Sequence, residues 1–226
     1  MARFNIFNQI HKALRALLYD TALTLQQTSF EQEAQAALAL EKVRDVAEHF
    51  DKHAEHEDHF ILPAILQYEP SVADAFEKEH VEDHALGHKL RGMLVAFDHA
   101  VTAEEKIQAG RDITTAFIHF MTFNLEHMAK EEVVLNGLLW RYYSDADLLA
   151  LNQRIVQSIP PQEANRVQPW MMRGLNNTEI IQWLRAVERA APEFVFNALF
   201  AVAEQELPAH RFRQIMEGYT DGVMVA

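Results

Sequence analysis

Apolar residues recur at helical spacing along most of the chain from its N-terminus to Tyr143. The first such segment covers residues 4–26, and its apolar positions include Phe7, Ile10, Leu14, Leu17 and Leu18. Residues three and four apart lie on one face of an α-helix, so this pattern predicts a helix with one buried face. Three further segments of the same kind cover residues 30–68, 71–99 and 102–143.

Start and stop signals separate these four segments. Thr28 with Glu31 and Thr102 with Glu105 both have the spacing of a capping box, which predicts a helix start at each place. Pro70 predicts the end of the second segment, because proline lacks an N–H and disfavours helix in its neighbourhood. Four long helices with short connections predict an all-α fold, an antiparallel up-down-up-down four-helix bundle.

The chain changes character after Ser144. Its helical segments become shorter, and they are punctuated by Pro160, Pro161, Pro169 and Pro192. We therefore expect a bundle domain at residues 1–144 and a helical C-terminal extension at residues 145–226. The extension is apolar enough to pack on the bundle or to bind a partner protein.

The composition argues against several classes of protein. A formal net charge of −13 disfavours binding to nucleic acid or to an anionic membrane, because both would repel the chain. The absence of cysteine excludes disulfides, thiolate nucleophiles and cysteine-ligated metal sites. The N-terminus has no signal-peptide pattern, and no run of about 18 apolar residues is present, so we expect a cytoplasmic protein without a membrane span.

Histidine is abundant and unevenly distributed, since eleven of the twelve histidines precede residue 128. Among them, His53 precedes His127 by the same interval that separates Glu57 from Glu131. Each step from histidine to glutamate is one helical turn, from i to i+4, which puts the two side chains on one helix face. The chain therefore contains a concealed repeat of two similar helical hairpins.

Histidines on the other two segments join this repeat. The interval from His11 to His84 is nearly equal to the interval from His53 to His127. His80 lies one turn before His84, and its counterpart in the first half is Phe7. The stripe continues to His88, which leaves open whether residues 80 and 84 or residues 84 and 88 form the ligand pair.

Converging these side chains in a bundle core predicts a centre of two metal ions. The candidate ligands are His11, His53, Glu57, His80, His84, His127 and Glu131. Burying two carboxylates without compensation would be costly, and a pair of divalent cations would neutralise them. Imidazole with carboxylate suits iron, manganese or zinc. The cation with fewer histidines would keep an open position beside Phe7, where a small ligand could bind.

This arrangement resembles the hemerythrin or HHE cation-binding family over about residues 4–143. The stretches that carry the resemblance are IHKALR, HAEHEDHFILP, EHVEDHALGHKL and LEHMAKEEVVL. The resemblance implies a non-heme di-iron site with two bridging carboxylates and a bridging oxygen atom, and it implies that the less-coordinated iron binds dioxygen. It would assign the ligands of one iron as His80, His84 and His127, those of the other as His11 and His53, and the bridges as Glu57 and Glu131.

The implied function is binding of dioxygen or a related diatomic for sensing, storage or a stress response. One alternative is a di-iron redox enzyme of ferroxidase or peroxidase type. Carboxylate-rich enzymes of that type have two Glu-x-x-His motifs, and this chain has one clean case, Glu77 with His80. Another alternative is a metal-dependent regulatory module whose C-terminal helices bind a partner. We expect a metal- and oxygen-binding protein in preference to an enzyme.

Overall fold

The computed structural model describes residues 3–221, and every regular element in that range is helical. The four long helices of the bundle are α1 (Asn8–Gln27), α2 (Glu33–His56), α4 (Pro70–His99) and α5 (Ala103–Val133). A π-helical turn (Glu57–Ile61) and the short helix α3 (Leu62–Leu66) continue α2, and α6 (Leu135–Tyr142) continues α5. The prediction of an all-α four-helix bundle with additional helices is confirmed.

Two of the predicted boundary signals act as expected. Pro70 is the first residue of α4, where its missing N–H costs nothing because that position has no partner within the helix. Thr102 and Glu105 form the predicted capping box of α5, in which the hydroxyl of Thr102 accepts from the Glu105 N–H at 3.2 Å. The Glu105 carboxylate in turn accepts from the Thr102 N–H at 2.9 Å.

The predicted capping box at Thr28 is not formed. Helix α2 begins later, at Glu33, and its first turn has no side-chain cap. Thr28 instead follows the last residue of α1, and its hydroxyl donates to the carbonyl of Thr24 at 2.7 Å. The threonine therefore closes one helix where the spacing predicted that it would open the next.

The chain divides into two compact units. The first consists of residues 1–8 and 17–158, and it includes α7 (Asp145–Ser158). One of its apolar clusters joins the π-helical turn, α3, α4, α6 and α7 through the buried residues Ile6, Phe7, Ile61, Leu62, Ile65, Ala73, Phe76, Leu135, Leu139, Leu148 and Leu151. Phe7, the predicted apolar wall, is thus part of this core and is 2% exposed.

The second unit consists of residues 9–16 and 159–226. Its own helices are α8 (Pro161–Gly174), α9 (Asn177–Ala190), α10 (Glu193–Glu206) and α11 (Ala209–Asp221). Its apolar core is formed by Met172, Leu175, Ile180, Leu184, Leu199, Ala203, Leu207, Ile215 and Tyr219. The division of the chain into domains at residue 144 stays a prediction.

Among the helices of residues 3–221, none is both long enough and apolar enough to cross a lipid bilayer.

Candidate metal centre

Four elements of the first unit carry the histidines and glutamates that face one another. His53 lies near the end of α2, and Glu57 opens the π-helical turn that follows it. His80 lies in α4, while His127 and Glu131 lie one turn apart in α5. All five side chains are buried, and Glu57 and Glu131 are only 3% and 0% exposed.

Four of these residues form a compact set of potential ligands that we call the His80–His127 group. It comprises Glu57, His80, His127 and Glu131, and one ligand atom of each lies within 4.8 Å of the others. Nε2 of His80 lies 3.4 Å from Oε2 of Glu57 and 3.7 Å from Oε1 of Glu131. Nε2 of His127 lies 3.1 Å from the same Oε1 of Glu131. The Nε2 atoms of both histidines therefore point toward the two carboxylates.

The two glutamates are not confined to this group. Nε2 of His53 lies 3.2 Å from Oε1 of Glu57, the carboxylate oxygen that does not face His80. His53, Glu57 and Glu131 belong together to another set of potential ligands. Each glutamate can thus contribute to two neighbouring cation positions, which is the arrangement that bridging carboxylates require.

His80 and His127 have raised pKa values, which favours positive charge on them beside the two carboxylates. Burial would lower the pKa of His80, but hydrogen bonds to Glu131 and Glu57 outweigh burial and raise that pKa to about 11. Burial likewise opposes the shift at His127, and its contacts with Glu131 still raise its pKa above the ordinary value. Positive charge is therefore strongly favoured beside the two carboxylates, and divalent cations would satisfy the same demand.

Aromatic side chains surround the histidines on the apolar side. The ring of Phe123 is stacked on His127 with centroids 5.9 Å apart, and Phe76 approaches the same imidazole at 5.8 Å. The imidazole rings of His80 and His127 lie 5.0 Å apart, edge to face. Phe76 also belongs to the apolar cluster of Phe7, so hydrocarbon borders one side of the centre.

Two carboxylates that the sequence analysis did not select contact the outer nitrogens of the histidines. Nδ1 of His80 lies 2.6 Å from Oδ1 of Asp58, and Nδ1 of His127 lies 2.8 Å from Oε2 of Glu79. Neither residue lies three or four positions along the chain from a proposed ligand, which is the spacing that marks one helix face. Their only signal in the sequence is their position next to Glu57 and His80, which is too weak to identify them.

His84 does not join the centre, although the sequence predicted it as a ligand. Its side chain is 46% exposed, and its Nδ1 lies 3.1 Å from Oδ1 of Asp51 on α2. His88, the alternative ligand, is also exposed. The buried face of α4 continues from His80 through Asp83 and Gly87, so His84 lies beside this face and not on it. His11 is fully buried on α1, and its assignment as a ligand stays a prediction.

A buried polar pair lies one turn from the histidines. The side-chain amide of Asn124 donates to Oδ1 of Asp83 at 2.6 Å, and both side chains are buried. Burial raises the pKa of Asp83, and the hydrogen bond from Asn124 only partly opposes that shift. Asn124 on α5 thus bonds to Asp83 on α4.

The comparison with protein families agrees with this geometry. The family model described as Hemerythrin HHE cation binding domain matches residues 3–139. No curated protein and no solved structure matches the chain. The match covers more than half of the chain, and the buried histidines and glutamates form sets that could hold a metal ion. The chain therefore belongs to the hemerythrin HHE cation-binding domain family.

Proposed function

We propose that this protein holds a pair of non-heme iron ions and binds dioxygen or a related diatomic molecule. Glu57 and Glu131 would bridge the two ions. His80 and His127 would complete the ligands of one ion, and His53 would bind the other. The observation that carries the proposal is the approach of three histidine Nε2 atoms to two almost fully buried glutamates, at 3.1 to 3.7 Å.

The chemistry of the donor set fits this metal. Imidazole nitrogens and carboxylate oxygens suit iron, and two buried carboxylates without a compensating cation would be costly. Manganese and zinc accept the same donors and are the alternatives. The raised pKa values of His80 and His127 reflect the same requirement for positive charge in this part of the core.

His11 is the further ligand that we propose beside His53. It is fully buried on α1, and the family resemblance pairs it with His53 as a ligand of the same ion. His84 is left out of the proposed ligand set, because it is half exposed and bonds to Asp51. The proposal therefore assigns two histidines to each ion, where the family resemblance implied three and two.

The main contribution of the chain would be to hold the metal ligands in fixed positions and to exclude bulk water from them. Bound iron would supply the reversible electron transfer that dioxygen binding requires. The chain would fix the imidazoles and carboxylates, and Phe76 and Phe123 would keep bulk water from His127. A small apolar molecule such as dioxygen would enter such an environment more readily than an ion.

The test is the metal content and optical spectrum of the purified protein, in air and after reduction with dithionite. We expect two iron ions per chain and near-ultraviolet charge-transfer absorption in air that bleaches on reduction. Absorption that forms in air and is lost again when dioxygen is removed without a reductant would support reversible dioxygen binding. Colourless protein with zinc alone, or without metal after iron reconstitution, would overturn the iron and dioxygen proposal.

A second candidate function is a metal-dependent regulatory module. The observation in its favour is that residues 159–221 form helices with an apolar core of their own beyond the family match at residues 3–139. In this case metal loading would alter the protection of α8 to α11 from hydrogen exchange. Identical hydrogen exchange in these helices with and without metal would exclude this second candidate function.

A further inference from the structure

Asp58 and Glu79 are the carboxylates nearest to the outer nitrogens of the His80–His127 group. Each lies on the Nδ1 side of one imidazole, at 2.6 Å for Asp58 and 2.8 Å for Glu79. The opposite nitrogen of each ring, Nε2, faces the bridging glutamates. Both rings are therefore held between an outer and an inner carboxylate.

The outer contacts select one form of each imidazole. A carboxylate at Nδ1 accepts a hydrogen bond, so the proton of a neutral ring resides on Nδ1 and the lone pair resides on Nε2. Only that form can bind a metal through Nε2. A carboxylate in this position also makes the ring a stronger electron donor and fixes its orientation.

Two consecutive residues of the π-helical turn contact opposite nitrogens of the His80 ring. Glu57 opens the turn and approaches Nε2 at 3.4 Å, while Asp58 follows it and approaches Nδ1 at 2.6 Å. Glu57 is almost fully buried, whereas the side chain of Asp58 is 37% exposed. Widened π turns of this kind occur preferentially at functional sites.

Glu79 has a second partner, which supplies a matched control. Its Oε2 faces His127, and its Oε1 lies 2.9 Å from Nζ of Lys130. The Lys130 side chain is 52% exposed, so this ion pair contributes little by itself. Removing the lysine would leave the hydrogen bond to His127 intact.

We propose that Asp58 and Glu79 are positioning residues for metal binding by the His80–His127 group. Asp58 orients His80, and Glu79 orients His127, each by accepting a hydrogen bond from Nδ1–H so that the lone pair of Nε2 is free for the metal. This inference rests on the proposed metal site. It adds two residues that neither the helical repeat nor the family resemblance selects.

The test uses the full-length protein and Zn²⁺, which is redox-inert and diamagnetic. Zn²⁺ affinity is measured by competition with a chelator of known strength for the wild type, Asp58→Ala, Glu79→Ala, Glu79→Gln and Lys130→Met. We expect the two alanine variants each to weaken one of two Zn²⁺ binding events by about 10–100-fold. Lys130→Met should stay within about fivefold of the wild type.

Two further readouts separate positioning from a general loss of structure. Glu79→Gln keeps an acceptor oxygen at Nδ1 and should recover part of the affinity that Glu79→Ala loses. In the Zn²⁺-loaded wild type, NMR should show protected Nδ1 protons on His80 and His127. Asp58→Ala should lose the protection at His80, and Glu79→Ala should lose it at His127, while circular dichroism shows an unchanged helix content.

The outcomes distinguish this inference from the metal site itself. Two Zn²⁺ ions bound with wild-type affinity by both alanine variants would overturn the positioning role and leave the metal site intact. Equal weakening by Lys130→Met and Glu79→Ala would also overturn it, because the effect would then come from loss of the Glu79–Lys130 ion pair and not from the hydrogen bond to His127. A wild-type protein that took up neither zinc nor iron would instead overturn the proposed function.

Discussion

Nε2 of His127 lies 3.1 Å from Oε1 of Glu131, one turn further along the same helix. Both residues are buried, and Glu131 is completely shielded from solvent. An ion pair in such a place gains little net stability, because removing the two charges from water offsets most of their attraction. A cation between the two side chains would compensate for the cost of burying them.

Replacing both members of this pair should remove metal binding. We expect His127→Ala with Glu131→Ala to abolish uptake at one ion position and to weaken the other, since Glu131 is proposed to bridge them. The rise in melting temperature on metal addition should largely disappear, because metal bound only to the native state stabilises it. Differential scanning calorimetry with and without metal measures this effect.

A matched control exists on the same helix. His119 and Glu126 are both exposed and have no place in the proposed centre. His119→Ala with Glu126→Ala should leave the metal-dependent rise in melting temperature unchanged. An equal loss of that rise in both double variants would show that the centre is not at His127 and Glu131.

The raised pKa of His80 predicts how the stability of metal-free protein depends on pH. The folded chain holds the His80 proton up to a pKa of about 11, whereas an unfolded histidine releases it near pH 6.5. The stabilisation is fully present below about pH 6.5 and is lost as the pH rises through the folded pKa. Between these limits the folding equilibrium constant should fall by about tenfold per pH unit for each such proton.

Urea denaturation of metal-free protein from pH 7 to pH 9.5 measures this slope. His80→Gln should flatten the slope, since it removes the titrating group and keeps a polar side chain of similar reach. A wild-type stability that stays constant or increases over this range would contradict a proton held between His80 and the two glutamates.

Metal uptake should release protons, because the raised pKa values of His80 and His127 favour bound protons at these residues in the metal-free protein. A proton on Nε2 of His80 or His127 must leave before a metal can bind there, and the pKa of both residues is raised. We expect at least one proton released per protein on Zn²⁺ addition at pH 7.5, measured with an indicator dye in weak buffer. Affinity should rise about tenfold per pH unit for each released proton. Uptake without proton release and with pH-independent affinity would contradict the prediction.

The long helices were predictable because their signals are local. Apolar residues at intervals of three and four, Pro70 at a helix start and Thr102 at a cap all act within one helix. The error at Thr28 has the same origin, since the spacing to Glu31 is correct but the loop continues to Gln32 before α2 begins. The π-helical turn has no periodic signal, because it is a single widened turn inside a continuous helical stretch.

The candidate site was predictable only as far as the repeat reaches. His53, Glu57, His127 and Glu131 follow from the equal offset between the two halves, and the structure brings them to one centre. The choice of His84 relied on a nearly equal offset between the other two helices. The buried face of α4 runs through His80, Asp83 and Gly87, and His84 lies beside it.

Contacts between helices explain the other residues that the sequence did not identify. Asp58 reaches His80 on α4 from the π-helical turn, and Glu79 reaches His127 on α5 from α4. Neither pairing corresponds to a fixed spacing along the chain. Such partners are determined by the rotation of one helix against another, which one sequence does not encode in any local pattern.

Glycine substitutions in the bundle should test the packing independently of the metal. Gly110 lies in α5, and a Cβ added there would overlap the ring of Phe30, which is itself packed edge to face on Phe97. We expect Gly110→Ala to lower the free energy of unfolding by about 1–3 kcal/mol, because the ring must move from its site.

Gly92 in α4 is the control, since it is exposed and an added Cβ would meet nothing within 4 Å. Gly92→Ala should raise the free energy of unfolding by about 0.5–1 kcal/mol through better helix propensity. Chemical denaturation of both variants measures the difference, and a stabilising Gly110→Ala would show that Phe30 does not pack against α5 in solution.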